Sequence, residues 1–242
     1  MARTMTMAFA IAAYAIFFAT FLYLIGFVAG LDALPTTVDT GPLAAPLWAA
    51  VIDFALISLF AVQHSAMARP AFKARWTRIV PRPAERSVYV LAASLALIAL
   101  FAFWRPIPTV VWAIEGFGAW VLWGVFALGW AIVLLSTFLI NHFELFGLQQ
   151  AWFSLRGRAA AAPEFRQPFL YKFVRHPLYT GFFIAFWATP VMTVGHLVLA
   201  AGMSAFMLIA IRLEERDLID VFGDQYRLYR ERVGMLVPGR RA

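Results

Sequence analysis

Five apolar stretches constrain this chain more than any other feature. They fall at roughly 8–30, 44–66, 87–105, 117–140 and 178–211, and a helix needs only ~20 consecutive apolar residues to cross a bilayer. The 242 residues are 63% hydrophobic and 14% charged, whereas a soluble domain carries about 45–50% and about 25%. A soluble fold of this size has no interior able to hide so much apolar surface, so lipid must take it up. The first run is longer than the apolar core of a signal peptide and lacks a small-x-small cleavage site, so it reads as a span. The fold class expected is therefore all-α: a polytopic integral membrane helical bundle.

Charge then sets the topology. The segment 31–43 carries Asp32 and Asp39 and no Lys or Arg, and 106–116 carries only Glu115. By contrast, 67–86 holds Arg69, Lys73, Arg75, Arg78, Arg82 and Arg86, and 141–177 holds Arg156, Arg158, Arg166, Lys172 and Arg175. The tail adds Arg212, Arg216, Arg227, Arg230, Arg232, Arg240 and Arg241. Basic residues concentrate on the cytoplasmic side of membrane proteins. For 141–177 and the tail to share that side, 178–211 must cross twice, as a hairpin turning near Pro190 and Gly195. Both termini are then cytoplasmic, and every Lys and Arg except Arg105 lies on that side. The net charge of +7 follows from topology, which removes nucleic acid as a partner. The first arm, 178–190, gives only about 20 Å of helix, so it is expected to be short for a full span.

The organisation expected is a substrate-side part, 1–153, and a cofactor-side part, 154–242, within one structural unit. Between Pro108 and Pro163 there is no proline, so the fourth span can continue as an interfacial helix through Asn141–Phe153. The segment Glu214–Val233 reads as an amphipathic cytoplasmic tail helix, with Leu218, Val221, Phe222, Tyr226 and Tyr229 at helical spacing. Cysteine is absent, which excludes disulfides, thiolate metal sites and a cysteine nucleophile.

The residues able to carry chemistry gather at the cytoplasmic end of the hairpin. Pro177 suits the first turn of a helix, which leaves Arg175, His176 and the free first-turn amides at its mouth, where a carboxylate is favoured. Glu214-Glu215 returns to the same end of the hairpin. A cationic corner facing an acidic pair suits a ligand of mixed charge.

The series Arg175-His176-Pro177-x-Tyr179-x-Gly181, Glu214-Glu215, Phe222-Gly223-x-x-Tyr226-x-x-Tyr229-x-x-x-Val233 and Pro238 resembles the signature of the isoprenylcysteine carboxyl methyltransferase and phospholipid methyltransferase superfamily. Upstream, Gln63-His64-Ser65-Ala66-Met67, Glu85-Arg86-Ser87-Val88-Tyr89 and Asn141-His142-Phe143-Glu144-Leu145-Phe146-Gly147 resemble the bacterial methanethiol S-methyltransferases within it. The first of these blocks also resembles NnrU-like membrane proteins. The resemblance implies S-adenosyl-L-methionine as cofactor, held by Tyr171, His176, Pro177, Leu178, Tyr179 and Glu214. Arg175, Gly181 and Glu215, in the same corner, are candidates beside them, with Glu215 ranked below Glu214 because adjacent helical positions point about 100° apart. It implies a small thiol such as methanethiol as substrate and dimethyl sulfide as product. An in-line displacement of this kind needs no metal. The expected setting is a bacterial inner membrane, with the bilayer as partner and no obligate protein partner.

A small alkyl thiol is less acidic than cysteine, whose pKa is about 8.5, so its proton needs an acceptor. His64, ending the second span, leads for that role because histidine titrates near neutrality; the competing reading is a histidine that caps its helix. His142 is evenly placed between the two readings, and Glu144 either lines the site or lies on a wet helix face. Asp53 lies mid-span on the same face as His64, where an acid is a functional candidate or a buried structural partner. Two rival functions stay open: methylation of a prenylcysteine carboxylate or phospholipid amine, and a non-catalytic NnrU-like role.

Overall fold

The computed structural model describes residues 2–158 and 164–239; the alanine-rich run after Arg158 and the last arginines, Arg240 and Arg241, lie outside them. Five helices are long and apolar enough to cross a membrane: α1 (Ala2–Ala29), α2 (Pro46–Ala68), α4 (Arg82–Phe103), α5 (Gly116–Ile140) and α9 (Val194–Phe222). The shorter helices are α3 (Pro70–Trp76), α6 (His142–Leu145), α7 (Leu148–Leu155), α8 (Pro177–Trp187) and α10 (Asp224–Arg232). Two strands, β1 (Val110–Ala113) and β2 (Val191–Thr193), pair into the one sheet among the described residues. The all-α, polytopic membrane reading holds.

Chain punctuation explains the boundaries. Prolines open α2, α3, α4 and α8 within their first two positions, where a missing amide costs nothing. The residue before Pro70 is forced out of the helical region, so α2 ends at Ala68 and Arg69 is extended. The hairpin expected over 178–211 is markedly unequal. Its first arm, α8, has 11 residues, about 16 Å of helix, and is too short to be counted among the spans. Its second arm, α9, has 29 residues.

Two expectations are corrected. The tail helix does not run from Glu214 to Val233: Glu214 to Phe222 extend α9, and Gly223, at φ +56, breaks the chain before α10. Nor does the fourth span continue through residue 153. It stops at Ile140, and Gly147, at φ +88, separates α6 from α7. A side chain at Gly147 would also lie 2.5 Å from Ser87 Oγ, so both the turn and the close approach demand glycine.

The chain divides into two compact units. The first comprises Met1–Thr109, Phe143–Ala161 and Thr193–Leu199. In it α4 packs against α1 and α2, and α7 lies along α1. Its interior holds Ala13, Phe27, Ile57, Phe60, Leu100 and Phe101. At one end the loop after α1 is tied down: Trp104 Nε1 donates to the Val38 carbonyl at 3.0 Å, and Thr36 Oγ1 donates to the Phe101 carbonyl at 2.9 Å. Asp53 is fully buried, and its Oδ1 accepts from the Arg105 amide at 2.9 Å. That is the structural-partner reading of this intramembrane acid, with a backbone amide as the partner.

The second unit comprises Val110–His142, Ala162–Met192 and Ala200–Ala242. Its organising contact is α5 against α8. A Cβ on Gly129 would lie 2.7 Å from the Ala185 nitrogen, and one on Gly181 would lie 2.7 Å from the Gly129 carbonyl oxygen. The two backbones therefore touch, as small residues permit between membrane helices. Trp130 closes the contact edge-on against Phe182 and Phe186. In both units the outward faces carry large exposed apolar residues, among them Trp48, Phe54, Val62, Trp120 and Phe138, as a lipid-facing surface requires.

Candidate active site

The second unit builds a polar corner at the mouth of α8. His176 is the N-cap residue and Pro177 opens the helix. Arg175 and His176 are 3% and 5% exposed, and burying the guanidinium of Arg175 is expensive unless it is paired. The partner is Glu215. Its Oε1 accepts from Arg175 Nε at 2.8 Å and from His176 Nε2 at 3.1 Å. Arg175 Nη1 donates to the carbonyls of Arg230, at 3.0 Å, and Val233. Arg175 thus faces inward, where the sequence placed it at the mouth as an anion-attracting group.

The adjacent Glu214 takes a different partner, its Oε2 accepting from Tyr179 OH at 3.1 Å. Consecutive helical residues point about 100° apart, yet both glutamates reach the head of α8: Glu215 on its buried side, Glu214 half-exposed. Sequence reasoning ranked Glu214 above Glu215. The geometry puts Glu215 at the centre of the ion network and Glu214 at its rim.

The chain after α10 straps this corner down. Arg175 N donates to the Gly234 carbonyl at 2.8 Å, and His176 N to that of Met235 at 3.1 Å. Thr180 Oγ1 donates to the Leu236 carbonyl at 2.9 Å. Tyr229 OH donates to the Tyr171 carbonyl at 2.5 Å, fixing the 3-10 turn Phe169–Lys172. Burial, with the Glu214 charge beside it, pushes the Tyr171 phenol well above its usual pKa. Burial likewise raises Tyr229 to about 12. Both stay protonated, and Tyr229 acts as a donor. Tyr226 and Tyr229, read from sequence as packing groups, are 2% and 3% exposed and also belong to this polar cluster.

His142 lies in the same unit, just past the end of α5. Its Nδ1 is 2.8 Å from Thr137 Oγ1, and its ring lies flat on Phe138 at 4.3 Å. Thr137 Oγ1 also donates to the Leu134 carbonyl at 2.7 Å. A hydroxyl has one proton and a carbonyl can only accept, so His142 Nδ1 must be the donor. In the neutral ring the lone pair then sits on Nε2. Burial holds the His142 pKa below its usual value, which favours the neutral ring.

His64 and Glu144 belong to the first unit. His64 Nε2 is 2.8 Å from Tyr89 OH, and the Arg86 guanidinium stacks over the Tyr89 ring at 5.0 Å. Arg86 Nε in turn donates to the Leu145 carbonyl at 2.7 Å. Glu144 is exposed on α6, its carbonyl accepting from Gln150 Nε2 at 3.0 Å. Sequence reasoning named Tyr89 only within a motif and missed its pairing with His64, and it missed Thr137 altogether. Tyr89 is 25 residues from His64 on another helix, and no spacing rule links them. Thr137 lies five residues before His142, a separation that a continuous helix does not align.

An all-helical bundle with five apolar spans and a buried Arg–His–Glu corner at a helix mouth fits the class of polytopic membrane methyltransferases. Methanethiol S-methyltransferase 1 of Bradyrhizobium diazoefficiens is 55% identical to the chain over 235 residues, 97% of this chain and 82% of that one. Methanethiol S-methyltransferase of Mycobacterium tuberculosis is 50% identical over 240 residues, 98% of each. Nurim of Xenopus laevis is similar at 28% identity over 176 residues, 69% of this chain and 61% of that one. No family model and no solved structure matches. The chain belongs to the methanethiol S-methyltransferase family.

Proposed function

We propose that the protein transfers a methyl group from S-adenosyl-L-methionine to the sulfur of methanethiol, giving dimethyl sulfide. The thiol rests on the family. The cofactor rests on one observation: the N-terminal mouth of α8 stands beside a half-exposed carboxylate, Glu214. The Leu178 amide lies in the first turn of α8, where no helical carbonyl can reach it. A helix mouth of this kind fits a carboxylate, and Glu214 with Tyr179 fits an ammonium or ribose hydroxyls. S-adenosyl-L-methionine carries all of these groups, and when bound it supplies an electrophilic methyl on a sulfonium.

In this reading Tyr171, Arg175, His176, Pro177, Leu178, Tyr179, Gly181, Glu214 and Glu215 form the holding corner. Arg175 and Glu215 keep the mouth of α8 in shape, Tyr179 and Glu214 bind, and Gly181 lets α8 lie close against α5. His142 Nε2 accepts the thiol proton, its tautomer held by Thr137. His64 and Glu144 are the alternative acceptors, and substitution separates the three. Aligning the two sulfur centres provides much of the remaining acceleration. The corner and both termini face the cytoplasm of a bacterial inner membrane.

Headspace gas chromatography of cells expressing the chain and fed methanethiol tests this. Dimethyl sulfide is expected from the wild type and not from His176→Ala or Glu214→Ala. Undiminished product from Glu214→Ala rejects the cofactor corner. A folded wild type that makes none rejects the substrate.

A further inference from the structure

A second feature, independent of the methyl-transfer reading, lies in the first unit. Helix α7 runs back along the first half of α1. Phe146, just before α7, stacks on Phe17 at 4.0 Å. At its other end a Cβ on Gly157 would lie 3.3 Å from Arg3 Nη1. Between the two helices is an open groove of about 510 Å³. Met7, Ile11 and Tyr14 form one wall; Leu148, Gln149 and Trp152, with Phe143, form the other.

Both walls end in an arginine at the same end. Arg3 precedes Met7 by four residues and Arg156 follows Trp152 by four, each about one turn beyond the apolar lining on its own face. The Arg156 guanidinium stacks over the Trp152 ring at 4.6 Å. Both arginines are exposed, and neither pairs with a carboxylate among the described residues. The groove is thus mostly apolar along its length, with Gln149 its one amide side chain, open on the side of a membrane-spanning helix, and doubly cationic at its mouth.

We infer that this groove binds an anionic phospholipid of the bilayer, with one acyl chain along Met7, Ile11, Leu148 and Trp152 and the phosphate between Arg3 and Arg156. Two chemistries are matched at once. The groove volume is of the size that takes a small ligand or one chain, and guanidiniums are the preferred partners of a phosphate. Trp152 sits where the two meet, as interfacial tryptophans do. A water-soluble anion satisfies the arginines and leaves the apolar length unused. A neutral lipid does the reverse.

The test uses the full chain, delipidated in detergent and titrated by native mass spectrometry with phosphatidylglycerol or phosphatidylcholine of identical chains. Phosphatidylglycerol is expected to bind roughly ten-fold more tightly or better, from two arginines near one headgroup. The double variant Arg3→Gln/Arg156→Gln should lose that preference while keeping the thermal stability of the wild type. Ile11→Trp, which fills the groove, should weaken both lipids. Equal binding of the two lipids by wild type, or a preference that survives the double variant, overturns the proposal. Displacement of bound lipid by glycerol phosphate, which has the headgroup and no chain, overturns it as well by showing a phosphate site alone.

Discussion

One carboxylate oxygen holds two side chains in place: Glu215 Oε1 lies 2.8 Å from Arg175 Nε and 3.1 Å from His176 Nε2. The three residues come from opposite ends of the α8–α9 hairpin and are all buried. Removing one partner from a buried pair leaves the other charge uncompensated, at about 3–5 kcal/mol. Glu215→Ala should therefore lower stability by that order in a detergent unfolding assay, and activity should vanish with it. Glu214→Ala, at the rim, should lose activity with less than about 1 kcal/mol of stability.

The strap predicts a separable effect. The carbonyls of Gly234, Met235 and Leu236 accept from Arg175, His176 and Thr180. Truncation after Arg232 should abolish cofactor binding, measured by calorimetry, because the mouth of α8 loses its backbone partners. Thr180→Val removes one hydrogen bond of about 1 kcal/mol and should weaken binding only several-fold.

Much of this fold was legible in the sequence, and the reason is physical. In lipid, hydropathy over ~20 residues reports directly on span position, so the four N-terminal spans followed from apolar run length, while the shape of the hairpin over 178–211 stayed open. The breaks at Gly147 and Gly223 did not. A helical pattern of apolar residues continues across both, and only the positive φ at each glycine shows the turn. In the site, the His-Pro-x-Tyr turn and the glutamate pair were visible because they are local motifs. The partners Thr137, Tyr89 and the strap carbonyls were hidden, since they are set by which elements touch rather than by spacing.

The α5–α8 contact supplies an internal control. A Cβ on Gly181 would meet the backbone and Val133 at 2.7–2.8 Å, whereas one on Gly124 meets nothing within 4 Å. Gly181→Ala should destabilise by about 1–3 kcal/mol through overpacking. Gly124→Ala should stabilise slightly, by up to about 1 kcal/mol, through helix propensity. Thermal unfolding of the two variants side by side decides this.

His142 sets a pH prediction. Burial disfavours its charged form, so its folded-state pKa lies below the unfolded value near 6.5. The unfolded state then binds the proton first as pH falls, and stability declines from about pH 6.5 downward and is unaffected above it. His142→Gln should remove that part of the pH dependence. As the proton acceptor, His142 should also contribute roughly 100-fold or more to kcat. Thr137→Val should lower kcat with little change in KM, and Thr137→Ser should restore it. A loss on His64→Gln with full activity in His142→Gln would move the base to His64.

The central claim, methyl transfer from S-adenosyl-L-methionine to a small thiol, is tested most directly with purified protein in lipid nanodiscs. The assay supplies methanethiol and S-adenosyl-L-methionine carrying a deuterated methyl group, and headspace mass spectrometry reads the product. Dimethyl sulfide containing one deuterated methyl, absent in Glu214→Ala, is the result expected. Folded protein that yields no labelled dimethyl sulfide contradicts the account.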